Sequence, residues 1–408
     1  MEKIDNLLDK IVSLCKRRGF VYPSAEIYGG FAGFWDYGPY GLALKNNIKQ
    51  LWWKMFVMDR DDMYGVDAAQ ITKHEVLQAS GHVSGFSDPL ADGSRFNTMF
   101  RTSAGAGEET ATAYLRPETA QGIFTNFKNI IDSFHPSLPF GIAQIGKAFR
   151  NEISPRDFIF RAREFEQMEV EYFVKPDGWR EAFGLWQKKM HEWIDAVGID
   201  AKKVYELEVT DNERAHYSKR TIDFEFDFPF GRKELYGLAY RTDYDLSNHA
   251  KASGVELSYL DEETKTKITP HVIEPSLGVD RTVLAVLCSA YTEDEMNGEP
   301  RIVLKLKPAI APVKVAVFPL LKNKPELVKK AREIFRDLKI SIGAVVFDDN
   351  GNIGKRYRRQ DEIGTPFCVT VDFDSLEKGD VTVRARDTGK QERIPLPDLS
   401  AELKKRLG

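Results

Sequence analysis

Cysteine is scarce: Cys15, Cys288 and Cys368 lie far apart in a chain of 408 residues, and none forms a CxxC pair. That usage argues against a disulfide framework and a cysteine zinc site, and it fits a reducing compartment. Long apolar runs are missing as well; none approaches the ~18 residues of a membrane-spanning helix. The N-terminal stretch MEKIDNLLDKIVSLCKRRGF mixes acids with apolar residues at helical spacing, unlike a signal peptide. A cytoplasmic protein with no membrane segment is therefore expected. There is no basic excess either: the net charge is −4, so no whole-protein field draws the chain to nucleic acid. The seven histidines are scattered, and no Ser/His/Asp or Cys/His set for nucleophilic catalysis stands out.

What is present is enough apolar residue, 42% of the chain, to build a real core, and enough length for two or more domains. Charge is unevenly spread. Residues 313–408 hold 20 Lys and Arg against 15 Asp and Glu, or +5, which leaves −9 for the rest. A basic C-terminal module on an acidic body suits local polyanion binding, and ordinary scatter of solvated charge explains the count equally well.

The periodicities predict a helix over residues 4–18, a long helix through LALKNNIKQLWWKMFVM after the glycine- and aromatic-rich residues 28–40, and an irregular stretch at 71–115. Further helices are expected at 119–131, 179–197 and 281–291, strands at 141–150 and 161–174, and short strands over 204–273. The Pro-punctuated KLKPAIAPVK then reads as a linker, and strand–helix alternation follows it. The expected fold class is an α+β body with an antiparallel sheet and flanking helices, divided at 310/311 from a small C-terminal α/β domain.

The stretch FRNEISPRDFIFRAREFEQMEV, residues 149–170, sets arginines and acids among residues typical of a core strand. Side chains alternate along a strand, so Arg163, Phe165, Gln167, Glu169 and Glu171 share a face, as do Arg150 and Glu152 on the preceding strand. Arg forks for phosphate, an aromatic for stacking and a carboxylate for an exocyclic amine together suit a nucleotide. A solvated face laced with cross-strand ion pairs gives the same pattern. Farther on, EPSLGVDRTVLAVL ends a strand, turns, and opens an apolar helix at Arg281. A helix N-terminus with an arginine favours phosphate, although an N-capping Asp280 beside a surface arginine fits equally well. GIAQIGKA from Gly141 nearly matches a phosphate loop, but Ala148 replaces the needed hydroxyl, so Lys147 reads as structural. GGFAGFWDYG lacks dinucleotide spacing and reads as a turn-rich packing segment.

Taken together, these pieces resemble the class II aminoacyl-tRNA synthetases. WDYGPYGLALKNNIKQLWW, with Pro39, is similar to the first, dimer-forming motif (about 27–57). FRNE and FRAREF resemble the second (about 141–174), and GVDR with its helix the third (about 272–291). LRPETAQGIF, FGIAQIGKAFRNEISPR, REFEQMEVEYF, RTDYDL and EPSLGVDR, with GNIGKRYRRQDEIGTPF near the C-terminus, extend the resemblance to the homodimeric glycyl-tRNA synthetase family over nearly the whole chain.

The resemblance implies ATP, glycine and the glycine tRNA as ligands, a homodimer, and a C-terminal anticodon-binding domain. It assigns Arg150 to the α-phosphate and Arg281 to the γ-phosphate, and these two with Glu152 are the implied catalytic residues. Phe165 would stack on adenine, with Glu152 accepting from its amino group. Asn151, Phe160, Arg161, Arg163, Leu235 and Gly278 would complete the ATP site, and Glu234 would ligate Mg²⁺. Glu118, Glu166, Gln167, Glu169, Glu274 and Ser276 would surround glycine. One departure stands out. Between GFSDPL and FNTMF only ADGSR intervenes, where the family carries a longer insertion, often with cysteine zinc ligands. Zinc is therefore not expected here, and Arg95 is the candidate for that insertion's substrate-site arginine. Two other readings fit the blocks less well: a synthetase-like binding protein without catalysis, and an enzyme for another small amino acid.

Overall fold

The computed structural model describes residues 7–408, apart from Ala91, Glu108, Glu109, His216, Glu262, Glu263 and Asn297. Its centre is a seven-stranded sheet. In chain order the strands are β1 (Met63–Gly65), β2 (Phe140–Phe149), β3 (Glu164–Val174), β4 (Val204–Glu208), β5 (Arg220–Phe228), β6 (Gly231–Thr242) and β7 (His271–Gly278). They lie side by side as β4-β5-β6-β7-β3-β2-β1. All neighbours are antiparallel except β1 and β2.

The alternation in TIDFEFDF decides how β5 lies: Ile222, Phe224, Phe226 and Phe228 are buried, which turns Asp223, Glu225 and Asp227 to the opposite face. On the apolar side the sheet is packed by helices α1 (Leu7–Arg18), α2 (Pro39–Trp53), α4 (Trp179–Val197) and α6 (Val279–Ala290). Ten of the twelve residues of α6 are buried, the pattern of a helix enclosed on all sides. Pro39 opens α2, where its missing N–H costs nothing. Toward α4, Phe56 packs against both Trp186 and Trp193. A second apolar cluster lies under α3 (Ala120–Phe134), where Phe127 meets Phe140 and Phe173.

The C-terminal residues build their own sheet from β8 (Val315–Pro319), β9 (Val345–Phe347), β10 (Phe367–Val371), β11 (Asp380–Ala385) and β12 (Gln391–Pro395). The order is β9-β8-β10-β11-β12, with β8 parallel to both its neighbours. Helices α7 (Pro325–Ile342), α8 (Ile353–Ile363) and α9 (Leu396–Leu407) accompany it, and its core is separate from that of the main sheet.

Most elements fall where the periodicities place them, within a few residues; positions 4–6 of the expected first helix lie outside the described residues. Two expectations are corrected. Residues 71–115 are not irregular: they hold a short helix, His74–Ala79, a hairpin of Ser87–Pro89 with Arg95–Asn97, and strands at Ile71–Lys73, Arg101–Ala104 and Ala111–Leu115. Elements this short carry no readable period. Within 204–273 the residues Tyr244–Ser253 form helix α5 instead of strand. Besides Leu246, its buried residues are Asp245 and His249, so no apolar stripe announces it.

Where the two sheets' units meet, Asp361 of α8 is buried between two guanidinium groups. Arg384 Nη1 donates to it at 2.8 Å and Arg301 Nη1 at 3.5 Å. Removing one partner of a buried ion cluster leaves uncompensated charge. Asp361→Ala is expected to cost about 3 kcal/mol, read as a lower denaturant midpoint for the whole chain.

Candidate active site

The polar face of the main sheet carries a cavity of about 350 Å³ at the end of β3, β6 and β7. That volume suits a small-molecule ligand. Register explains its composition. Glu169 on β3 sits opposite Ser276 on β7, Ser276 opposite Gly237 on β6, and Glu274 opposite Ala239. Two acids and a hydroxyl thus share one floor with small neighbours.

The floor is a buried carboxylate network. Glu169 accepts from Thr119 Oγ1, and from Ser276 Oγ at 2.7 Å. Glu118 accepts from Gln121 Nε2 at 3.0 Å and faces His82 Nε2 at 3.3 Å. Glu274 accepts from Arg241 Nη1 at 3.0 Å. Arg241 also forks onto Asp245 with two bonds of 2.8 Å, and Tyr217 stacks on its guanidinium. Burial pushes Glu169 upward, and Glu118 adds to this, against the pull of the two hydroxyls and Arg241. Burial alone would also raise Glu118, but His82, then Arg241 and Gln121, hold it well below the usual carboxylate range.

The opposite wall is basic and aromatic. The Arg150 guanidinium lies 5.4 Å from the centre of the Phe165 ring and 5.2 Å from Phe86, anchored by Nε donation to the Pro117 carbonyl at 2.9 Å. Arg281, the third residue of α6, stacks 4.5 Å from the Phe160 ring and faces Glu234 Oε2 at 3.3 Å. Glu152 is held by Arg161 at 2.6 Å through Nε. Two arginines, an exposed aromatic edge and acids at the far end make a trough for an anion at one side and a cation at the other.

Of the sequence-derived set, fifteen residues line this one cavity, Gly278, Leu235, Phe160 and Gln167 among them. Asn151 and Arg163 do not line it. Arg163 instead donates to the carbonyls of Glu152 at 3.1 Å and Ala32 at 2.9 Å, pinning the glycine-rich turn. Glu166 lines the cavity's edge, yet strand alternation turns its carboxylate to the other face. There it meets Lys45 at 2.7 Å and Lys49 at 3.1 Å. Asp280 is no helix cap: it is buried and accepts from Tyr37 at 2.5 Å, Lys45 at 3.1 Å and the Glu166 N–H at 2.7 Å. Lys147 pairs with Glu164, the structural part read for it. Arg95 bonds back to Ser87 within its own hairpin and does not line the cavity.

Comparison with known proteins agrees with this architecture. Residues 100–290 match the family profile "tRNA synthetase class II core domain (G, H, P, S and T)", and residues 314–406 match "Anticodon binding domain". A glycine–tRNA ligase of Lachnospira eligens is 47% identical over 98% of both chains. Those of Thermus thermophilus and Clostridium perfringens are each 44% identical, over 98% and 99% of this chain and 99% of their own.

The chain belongs to the glycine–tRNA ligase family.

The alignment with the Lachnospira relative runs over 458 positions against 408 residues here, so that family member carries residues this one lacks. The family's class II core and anticodon-binding domain account for the two sheets. Sequence reasoning missed Arg241, Asp245, Thr119, Gln121 and His82, all of which support the acid floor. The block RTDYDL held the signal for the first two: an arginine and an aspartate four apart, directly after the apolar run LYGLAY.

Asp223 was missed as well. It lines the cavity, and burial, followed by Glu234 and Glu225, pushes it up to about 7. The native state therefore holds a proton that the unfolded chain releases from about pH 4 upward, so stability falls as pH rises through that window. Asp223→Asn is expected to raise the melting midpoint by a few degrees at pH 8 and to lose this advantage near pH 5, as read by thermal melts across pH.

Proposed function

We propose that this chain activates glycine with ATP and transfers it to the 3′ end of the glycine tRNA. The observation that carries the reading is one cavity with a buried carboxylate floor and an arginine wall. Glycine offers no side chain to grip, so its ammonium group must supply recognition, and Glu169, Glu118 and Glu274 with Ser276 are the groups suited to it. Arg150 and Arg281 take the α- and γ-phosphates, Phe165 stacks on adenine, and Glu152, steadied by Arg161, accepts from its amino group.

In this arrangement the glycine carboxylate oxygen attacks the α-phosphorus in line, and the bond to the bridging oxygen breaks as pyrophosphate leaves. The tRNA hydroxyl oxygen then attacks the carbonyl carbon of the adenylate, AMP departs, and the hydroxyl proton goes to solvent or phosphate. No protein nucleophile is required; orientation and charge stabilisation carry the rate. Glu234 and Asp223 are hard oxygen donors, and Asp223 is raised first by burial and then by Glu234 and Glu225; two such acids are a donor set that fits Mg²⁺. The ion would supply charge neutralisation on the phosphates.

The reading extends to two functional units, residues 1–310 for both chemical steps and 311–408 for the anticodon. A homodimer is supported by apolar side chains left in solvent on the turn before α2: Ile27 is 89% exposed, Tyr28 86% and Phe31 57%.

Glycine-dependent exchange between ATP and labelled pyrophosphate tests the reading; alanine, serine and proline are expected to give none, and absence of exchange with glycine overturns it. Arg150→Ala is expected to lower that exchange at least 100-fold, the cost of a preorganised charge contact, with the melting midpoint nearly unchanged.

A further inference from the structure

Glu171 lies two residues beyond Glu169 on β3, facing the same floor. It is fully buried, and neither carboxylate oxygen has a hydrogen-bond partner among the described residues. Every other acid of the floor has donors: Glu118 has Gln121, Glu169 has Thr119 and Ser276, and Glu274 and Asp245 share Arg241. An ionised carboxylate in that position would be both desolvated and unpaired, which proteins avoid by protonation. The groups facing it are Glu169 on its own strand, Glu274 on β7, Arg241 on β6 and Asp245 on α5, one cation against three acids. One oxygen from each of Glu169, Glu171 and Glu274 falls within 4.8 Å of the others.

We propose that Glu171 is a neutral carboxylic acid and a positioning residue: its O–H donates to Glu274, holding that carboxylate toward the substrate amine. Protonation converts the one acid without a donor into a donor, and carboxylate oxygens of Glu169 and Glu274 lie within 4.8 Å of it. Burial, with Glu169 and Glu118 against Arg241, pushes Glu274 up as well, to about 8. Arg241 bonds to Glu274 and not to Glu171, however, so the proton the two acids share rests on Glu171. Burial, and Glu274 after it, push Glu171 far above the ordinary carboxylate range, in the direction this arrangement needs. Glu118, Glu169 and Glu274 are thereby left to meet one ammonium group without a fourth negative charge beneath them. The role given to Glu274 rests on the glycine reading above; the proton on Glu171 does not.

The experiment compares the full-length protein with Glu171→Gln, which keeps a neutral donor of the same shape, and Glu171→Leu, which has none. Infrared difference spectra at neutral pH, wild type minus Gln, are expected to show the carbonyl stretch of a protonated carboxylic acid. In glycine-dependent exchange, Leu is expected to raise the KM for glycine about tenfold, what one charge-assisted hydrogen bond is worth, while the KM for ATP and kcat change little. Gln is expected to recover most of that loss. Absence of the acid band overturns the proposal. So does a Gln variant as impaired as Leu, which would mark Glu171 as an ionised ligand, or a Leu variant with unchanged glycine KM. If the wild type itself shows no glycine-dependent exchange, the substrate reading fails while the infrared band still decides the proton.

Discussion

The guanidinium of Arg241 is the constraint around which the active-site face is built. It is buried at the end of β6, with Glu274 on β7 and Asp245 on α5 closing on it and Tyr217 over its face. Without that cation the floor would gather Glu118, Glu169, Glu171, Glu274 and Asp245 in a dry space, and mutual repulsion would open the strands that hold them. With it, two strands and a helix are drawn to one point, and the acids can be concentrated enough to recognise an amine. Packing alone does not require this arrangement. The apolar side of the sheet is filled by aromatic and aliphatic side chains from α2, α4 and α6, whereas the polar side is organised by charge.

A second, smaller clamp joins the two faces. Asp280, in the first turn of α6, collects Tyr37, Lys45 and the backbone of Glu166. The next residue is Arg281. The side chain aimed into the cavity is thus fixed by a neighbour aimed away from it, which fastens α6 to α2 and to β3. Lys45 is buried here and stays charged because Asp280 and Glu166 outweigh its desolvation. This links the helix that precedes the cavity in sequence to the groups that line it.

Much of this was legible in the sequence, for physical reasons. Strand period two gathers Phe165, Gln167 and Glu169, and the apolar run after Arg281 marks a buried helix, so the α+β fold class followed from spacing, whereas the site residues followed from the resemblance to the synthetase family. The same period also predicts the exception: an even-numbered Glu166 must face Lys45 and Lys49, away from Glu169. What was not legible depended on tertiary contact. The three- to five-residue strands between 71 and 115 exist because they are paired, not because their residues favour strand. Helix α5 turns Asp245 and His249 inward, so a hydrophobic pattern cannot reveal it. Thr119, Gln121 and His82 become site residues only when α3 and the segment before it are brought against β3.

The hairpin formed by Ser87–Pro89 and Arg95–Asn97 separates a fixed base from a free-standing tip. Its base and the residues leading into it do the fixed work: His82 faces Glu118, Phe86 lies under Arg150, and Asp88 approaches Arg161 at 3.7 Å. At its tip the Leu90 N–H donates to the Ser94 carbonyl at 2.8 Å, and Ser94 donates to Asp92 through its N–H at 2.9 Å and its hydroxyl at 2.6 Å. Lengthening a loop at such a tip costs little closure entropy. The tip is therefore a place where chain length can change while His82, Phe86 and Asp88 at the base keep Glu118, Arg150 and Arg161 in register.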